Sequence, residues 1–184
     1  MKMHRLKTPL DEVTVRELNV GDVVHLSGRL FTMRDMAHLR ALELLTRGDK
    51  LPFELKGEVI YHCGPLVRGT EVISAGPTTS MRMERMEAEL IRLTGLRGIV
   101  GKGRMGERTA DALKNFGAVY MEFPGGAGAL AAKAIKRING VYWKDLGEPE
   151  AVWEMEVEDF GPCIVTMDSK GGAFKSKVPR ILPR

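Results

Sequence analysis

A chain of 184 residues, 43% hydrophobic and with a formal net charge of +4, is long enough for one well-packed domain, with at most a small appended subdomain. No apolar run approaches the roughly 18 to 20 residues that cross a bilayer, and Met1 to Lys7 has no hydrophobic signal core, so no membrane partner is expected and the cytoplasm is the expected compartment. Basic residues are spread along the chain instead of clustering with aromatics, which make up only 6%, so nucleic acid is not an expected partner.

In chain order, Asp22 to Thr32 alternates as a strand. A helix follows from Asp35 to about Thr46, where Met36, Leu39, Leu42 and Leu45 recur every third residue and Arg47-Gly48-Asp49 is the stop. Gly57 to Cys63 and Thr70 to Ser74 are shorter strands bounded by Gly/Pro turns. From Ser80 to Thr94 a helix carries Met83, Met86, Leu90 and Leu93 on one face. Gly98 to Gly101 is a short strand, Glu107 to Phe116 a helix, and Ala118 to Phe123 a strand. Gly125 to Ile138 is an alanine-rich helix, and Val141 to Trp143 and Ile164 to Met167 are the last short strands. The predicted fold class is therefore α/β: a β-rich N-terminal section, then strands and helices alternating around a parallel or mixed sheet. The chain reads as a single domain over 1–184, with a basic, loosely held tail from about Lys170 to Arg184. Cys63 and Cys163 lie far apart without CxxC spacing, which indicates neither a disulfide framework nor a metal knuckle; both read as buried small hydrophobes.

Four places could carry chemistry. Gly76-Pro77-Thr78-Thr79-Ser80-Met81-Arg82-Met83 is a glycine-proline turn opening a helix, where hydroxyls and a guanidinium stand beside unpaired backbone N–H groups. It suits an anion, and it equally suits a hydroxyl cap from Thr78 or Ser80. Gly101-Lys102-Gly103-Arg104-Met105-Gly106 matches the dinucleotide pattern GxGxxG between a strand and a helix, with Glu122 about 20 residues on. The charged spacers Lys102 and Arg104 speak against that reading, and the alternative is a glycine-permitted turn that brings Lys102 to a small anion. Pro124-Gly125-Gly126-Ala127-Gly128 brings no charge of its own and reads as close helix–sheet packing. Arg34 and His38, four residues apart, share a face where the first strand region gives way to a helix; taken alone, they read as a solvated charge and a surface histidine. Together Arg34, Arg82 and Lys102 put three cations beside helix starts, an arrangement that suits a small dicarboxylate better than one phosphate.

Many segments in order carry a more specific signal: LKTPL at Leu6 to Leu10, GDVVHLSG at Gly21 to Gly28, TMRDMAH at Thr32 to His38, and YHCGPLV at Tyr61 to Val67. GPTTSMRM at Gly76 to Met83, GKGRMG at Gly101 to Gly106, GGAGALAA at Gly125 to Ala132 and EDFGPCIVTMD at Glu158 to Asp168 continue the series. On these segments the chain resembles, nearly end to end, the β subunit of class I iron-sulfur fumarate hydratase and of the related L(+)-tartrate dehydratase. The resemblance implies a swivelling β/β/α domain and a hetero-oligomer with a separate α subunit. It also implies a 4Fe-4S cluster held by three cysteines of that subunit and not by this chain, its open iron acting as a Lewis acid. By the same resemblance Arg34, Arg82 and Lys102 grip the substrate carboxylates and Thr78 takes part in proton abstraction. His38 matches a histidine assigned to the active site in the tartrate branch. The implied reaction is reversible hydration of fumarate to L-malate. Dehydration of tartrate is the first alternative, and a nucleotide-binding module through Gly101 to Gly106 the remote one.

Overall fold

The computed structural model describes residues 1–174, so the expected loose tail lies outside the described residues from 175 onward. In chain order the strands are β1 (Met3–Lys7), β2 (Val23–Thr32), β3 (Val59–Tyr61), β4 (Leu66–Arg68), β5 (Glu71–Ser74), β6 (Gly98–Gly101), β7 (Val119–Glu122), β8 (Ile135–Tyr142) and β9 (Val152–Met167). The α-helices are α1 (Glu12–Glu17), α2 (Asp35–Thr46), α3 (Glu84–Thr94), α4 (Glu107–Phe116) and α5 (Gly128–Ala134).

Seven strands form one sheet in the order β1-β2-β3-β6-β7-β9-β8, and a further pairing of β2 with β9 closes it into a barrel-like ring. Strands β1, β2, β3, β6 and β7 are parallel neighbours, whereas β9 runs antiparallel to β7, β8 and β2. The short central strands β3 and β6 are apolar throughout, and β7 is up to its last residue, Glu122, because both faces are covered. Val59, Tyr61, Val100, Val119 and Met121 point into the ring, where Phe160 and Val165 meet them. Ile60, Ile99 and Tyr120 point outward to a layer made by Ala37 and Ala41 of α2, Leu90 and Ile91 of α3, and Leu113 of α4. This alternation has a consequence for the next residue along: after Ile60, the side chain two positions on, His62, reaches the same helix layer.

The α/β class and the alternation of elements agree with the sequence, but β1, α1 and β4 were not expected, and four further details differ. The expected helix over Gly125 to Ile138 stops at Ala134, and β8 runs on through the expected strand at Val141. Register shifts between Ile135 and Arg137 and between Ile138 and Gly140 interrupt its ladder. These irregularities space Ile135, Ile138 and Val141 three apart against the core, so a bulged strand carries a helical period. Strand β9 is 16 residues long, where only its last four were expected. The expected helix from Ser80 begins as a four-residue 3-10 turn, Ser80–Met83, before α3. Finally, α2 buries Ala37, His38 and Ala41, leaving Met36 and Leu39 exposed. Both cysteines are free and buried, as the sequence suggested.

Candidate functional site

The residues singled out in the sequence gather beyond the carboxyl ends of the parallel strands β2, β3 and β6, where ligands of α/β sheets characteristically bind. Arg34 leaves β2 and stands at the N-cap of α2. Its Nε lies 3.3 Å from Glu150 Oε1, while Glu150 Oε2 accepts the Met36 N–H at 3.0 Å. A methyl at Gly64 would come to 2.5 Å from Arg34 Nη1, so the bare backbone there leaves room for the guanidinium.

The Gly76 to Met83 turn joins the other pieces. Thr78 donates its amide to the His62 carbonyl at 2.6 Å, Thr79 bridges Lys102, and Ser80 donates its amide to the Lys102 carbonyl at 2.9 Å. Arg82 reaches back to the start of α2: Nε donates to Asp35 Oδ1 at 3.0 Å and Nη2 stands 2.8 Å from Oδ2. Thus Thr78, Arg82 and Lys102 are bound to one another's segments, and Arg82 is tied to the neighbour of Arg34. Arg82 is half exposed, and the Lys102 side chain is exposed and has no ion-pair partner among the described residues. Neither Thr78 nor Ser80 caps the turn; its N-cap position is Thr79, which makes no side-chain cap hydrogen bond. The foot of the turn is braced by the glycine-rich segment, with Ala75 donating to the Gly128 carbonyl at 3.1 Å, which is the packing role expected of that segment. A groove of about 550 Å³ beside Thr70, Lys136 and Trp153 is lined by none of these residues.

His38 is placed differently from the cations. It is fully buried, with Nδ1 2.8 Å from the Arg34 carbonyl and Nε2 3.2 Å from Glu87 Oε2. It is therefore not the surface histidine that its sequence position suggests. Glu87, from α3, is itself fully buried and also meets His62 Nε2 at 2.8 Å. His62 Nδ1 lies 2.8 Å from Ser80 Oγ, which in turn accepts the Lys102 N–H at 3.2 Å. Sequence reasoning passed over Glu87, His62 and Ser80 as a set. The available signal was Met83-x-x-x-Glu87-x-x-Leu90-Ile91, which sets a carboxylate in the middle of an apolar stripe. Burial raises the pKa of Glu87, but the two imidazoles outweigh it and hold the carboxyl below its usual range. Burial disfavours a proton on His38, yet Glu87 and the Arg34 carbonyl prevail and its pKa is raised; at His62 burial prevails and the pKa falls.

His38, His62 and Glu87 offer three donor atoms within 4.8 Å of one another, a spacing a divalent ion could bridge. Each Nε2, however, already stands at hydrogen-bond distance from the same carboxylate oxygen, and hydrogen bonds account for the arrangement without an ion. An iron-sulfur cluster does not fit this chain's own residues. Its ligands are thiolates, whereas burial pushes the Cys63 thiol up to about 12 and raises that of Cys163 as well.

The glycine fingerprint is also occupied from within. Gly106, the N-cap of α4, donates its amide to Glu84 Oε2 at 2.7 Å, and Thr109 gives the same carboxylate its amide at 3.3 Å and its hydroxyl at 2.6 Å. This carboxylate thus takes up two of the backbone amides at the mouth of α4.

Residues 2–178 match the family model described as fumarase C-terminus. A Methanocaldococcus jannaschii protein, provisionally named L(+)-tartrate dehydratase subunit beta, is 46% identical over 92% of this chain and 89% of its own length. The L(+)-tartrate dehydratase subunit beta of Escherichia coli is 43% identical over 90% of this chain and 83% of its own. A Geobacillus stearothermophilus protein, provisionally named fumarate hydratase class I, is 39% identical over 95% of this chain, which covers 34% of that longer protein.

Proposed function

We infer the function from one premise: the chain belongs to the fumarase C-terminus family. We propose that it is the β subunit of a hydro-lyase that interconverts fumarate and L-malate, working only with an α subunit that holds the 4Fe-4S cluster. The observation that carries this reading is the gathering of Thr78, Arg82 and Lys102 on joined segments, with Arg34 next to the partner of Arg82.

In the dehydration direction a proton leaves the carbon beside one carboxylate, and the hydroxyl leaves the adjacent carbon. The developing negative charge spreads into that carboxylate, so cations aimed at it hold the transition state more tightly than the ground state. Arg34 and Arg82 offer forked donors and Lys102 a point charge, enough for both ends of a dicarboxylate. Thr78 is held through its amide, leaving its hydroxyl to the substrate. A hydroxyl is a weak base, and in this reading a carboxylate of the α subunit activates it. His38, buried away from solvent, acts through its neighbours and not on the substrate. This chain's buried thiols do not suit the cluster.

The second reading is dehydration of L(+)-tartrate, favoured by the names of the relatives at 46% and 43% identity. Tartrate differs by a second hydroxyl, and Arg34, Arg82, Lys102 and Thr78 would serve the carboxylates and the proton transfer of either substrate. Co-expression with candidate α chains under anaerobic conditions, followed by assays with fumarate, malate and both tartrate isomers, tests this. Fumarate–malate turnover is expected. Preferential turnover of L(+)-tartrate selects the second reading, and absence of dehydratase activity across a well-reconstituted set overturns both.

A further inference from the structure

A buried chain of hydrogen bonds runs from one candidate cation to another. The Arg34 carbonyl can only accept, so His38 Nδ1 carries a hydrogen and donates at 2.8 Å. His38 Nε2 then faces Glu87 Oε2 at 3.2 Å, a contact that needs a proton between the two atoms. With Glu87 ionised, His62 donates from Nε2 to the same oxygen at 2.8 Å and accepts at Nδ1 from the Ser80 hydroxyl at 2.8 Å. The Ser80 oxygen finally accepts the Lys102 N–H at 3.2 Å. Each link has one donor and one acceptor, giving a carboxylate, an imidazolium and a neutral imidazole, while the other Glu87 oxygen, Oε1, is buried without a hydrogen-bond partner among the described residues. His38, His62, Ser80 and Glu87 are all fully buried.

Such a unit is held rigid because its four side chains are fully buried and hydrogen-bonded to one another. A buried carboxylate that lost either imidazole would be left unpaired in low dielectric. The backbone is fitted to it: a methyl at Gly101 would collide with Ser80 Oγ and lie 3.1 Å from His62 Nδ1. The charge facing the two histidines from outside the unit is Asp35 at the head of α2, with Tyr120 of β7 donating to the Gly103 carbonyl at 2.6 Å just beyond Ser80.

We propose that Glu87, with His38, His62 and Ser80, forms a positioning relay that fixes the Arg34 and Lys102 backbones relative to each other, and so sets the spacing at which the two cations meet a dicarboxylate. The last clause rests on the hydro-lyase reading; the relay itself does not. The directions of the histidine shifts agree with it, the proton residing on His38 and not on His62.

The test has two arms. In the first, ring-nitrogen NMR of the full chain, which has four histidines, reports protonation directly. At neutral pH His38 should show both nitrogens protonated and His62 the Nε2–H form. Glu87→Gln should remove the second proton from His38 and shift the backbone amide signal of Lys102; should that variant fail to fold, Ser80→Ala should shift the same amide while His38 keeps both protons. An unmoved Lys102 amide, a doubly protonated His38 in folded Glu87→Gln, or a joint shift of both rings on adding one equivalent of zinc would overturn the relay. In the second arm, with the α subunit present, Glu87→Gln and Ser80→Ala should each lower kcat/KM on the order of 10- to 100-fold, with KM raised. Wild-type kinetics in either variant would overturn the spacing role. A complex without activity in any form would count against the hydro-lyase reading alone, because the first arm decides the relay independently.

Discussion

Two turns in this molecule look alike in sequence: Gly76 to Met83 and Gly101 to Gly106 each bring glycine and a cation to the start of a helical segment. At Gly101 to Gly106 the amides of Gly106 and Thr109 are taken by Glu84, so the helix mouth is closed by the chain's own carboxylate. At Gly76 to Met83 no side chain caps the turn, and Ser80, which could have done so, is turned inward to His62. The lesson is electrostatic. A helix mouth is available to a ligand only where no internal anion has filled it, and a glycine pattern does not carry that information.

The largest effect that would sharpen this contrast is catalytic. Arg82→Ala or Lys102→Ala in the reconstituted complex should lower kcat/KM about 100-fold or more, by analogy with loss of one oxyanion-stabilising donor. Steady-state kinetics that match the wild type would remove these residues from the site. Next, Glu84→Ala should cost about 1–2 kcal/mol of stability by uncapping α4, read as a lower midpoint in urea unfolding, while activity stays near that of the wild type. A large loss of activity with unchanged stability would break the contrast.

A smaller effect tests the same device elsewhere. Asp22 accepts the backbone N–H groups of Lys2 at 2.7 Å and Asn19 at 3.1 Å. Burial would raise its pKa, but these bonds and His4 prevail and bring it down to about 2. A depressed carboxyl stabilises the fold fully above its unfolded value near 4, and that contribution, on the order of 1 kcal/mol, is lost as pH falls toward 2. Asp22→Asn should flatten stability across this window when urea unfolding is followed at several pH values. The smallest expected signal is none at all: calorimetric titration of the chain with NAD or ATP should give no saturable heat, and binding would reopen the Gly101 to Gly106 mouth.

The alternating strands and helices were legible in sequence because the central strands are short apolar runs between glycines, and their helices carry ordinary stripes. The first part of strand β8 was hidden because its register shifts turn a period of two into one near three. Most of β9 was hidden because its alternating half carries Glu154, Glu156 and Glu158, and Gly161-Pro162 interrupts the run. The three cations and Thr78 were legible as charges and hydroxyls at element ends. The relay was not, since Glu87, His62 and Ser80 come from separate elements and each looks ordinary beside its neighbours. In α2 the recurrence of Met36 and Leu39 pointed to the wrong face, for burial follows the small residues that let His38 reach α3.

The contact between Gly101 and Ser80 also constrains how this chain can vary. Because a methyl at one position would overlap the hydroxyl of the other, residues 80 and 101 form a lock in which only one may carry a side chain of that reach. In a library randomised at both positions, folded variants with a residue larger than glycine at 101 should carry glycine or alanine at 80. Those survivors would have given up the link to the Lys102 amide in exchange for space.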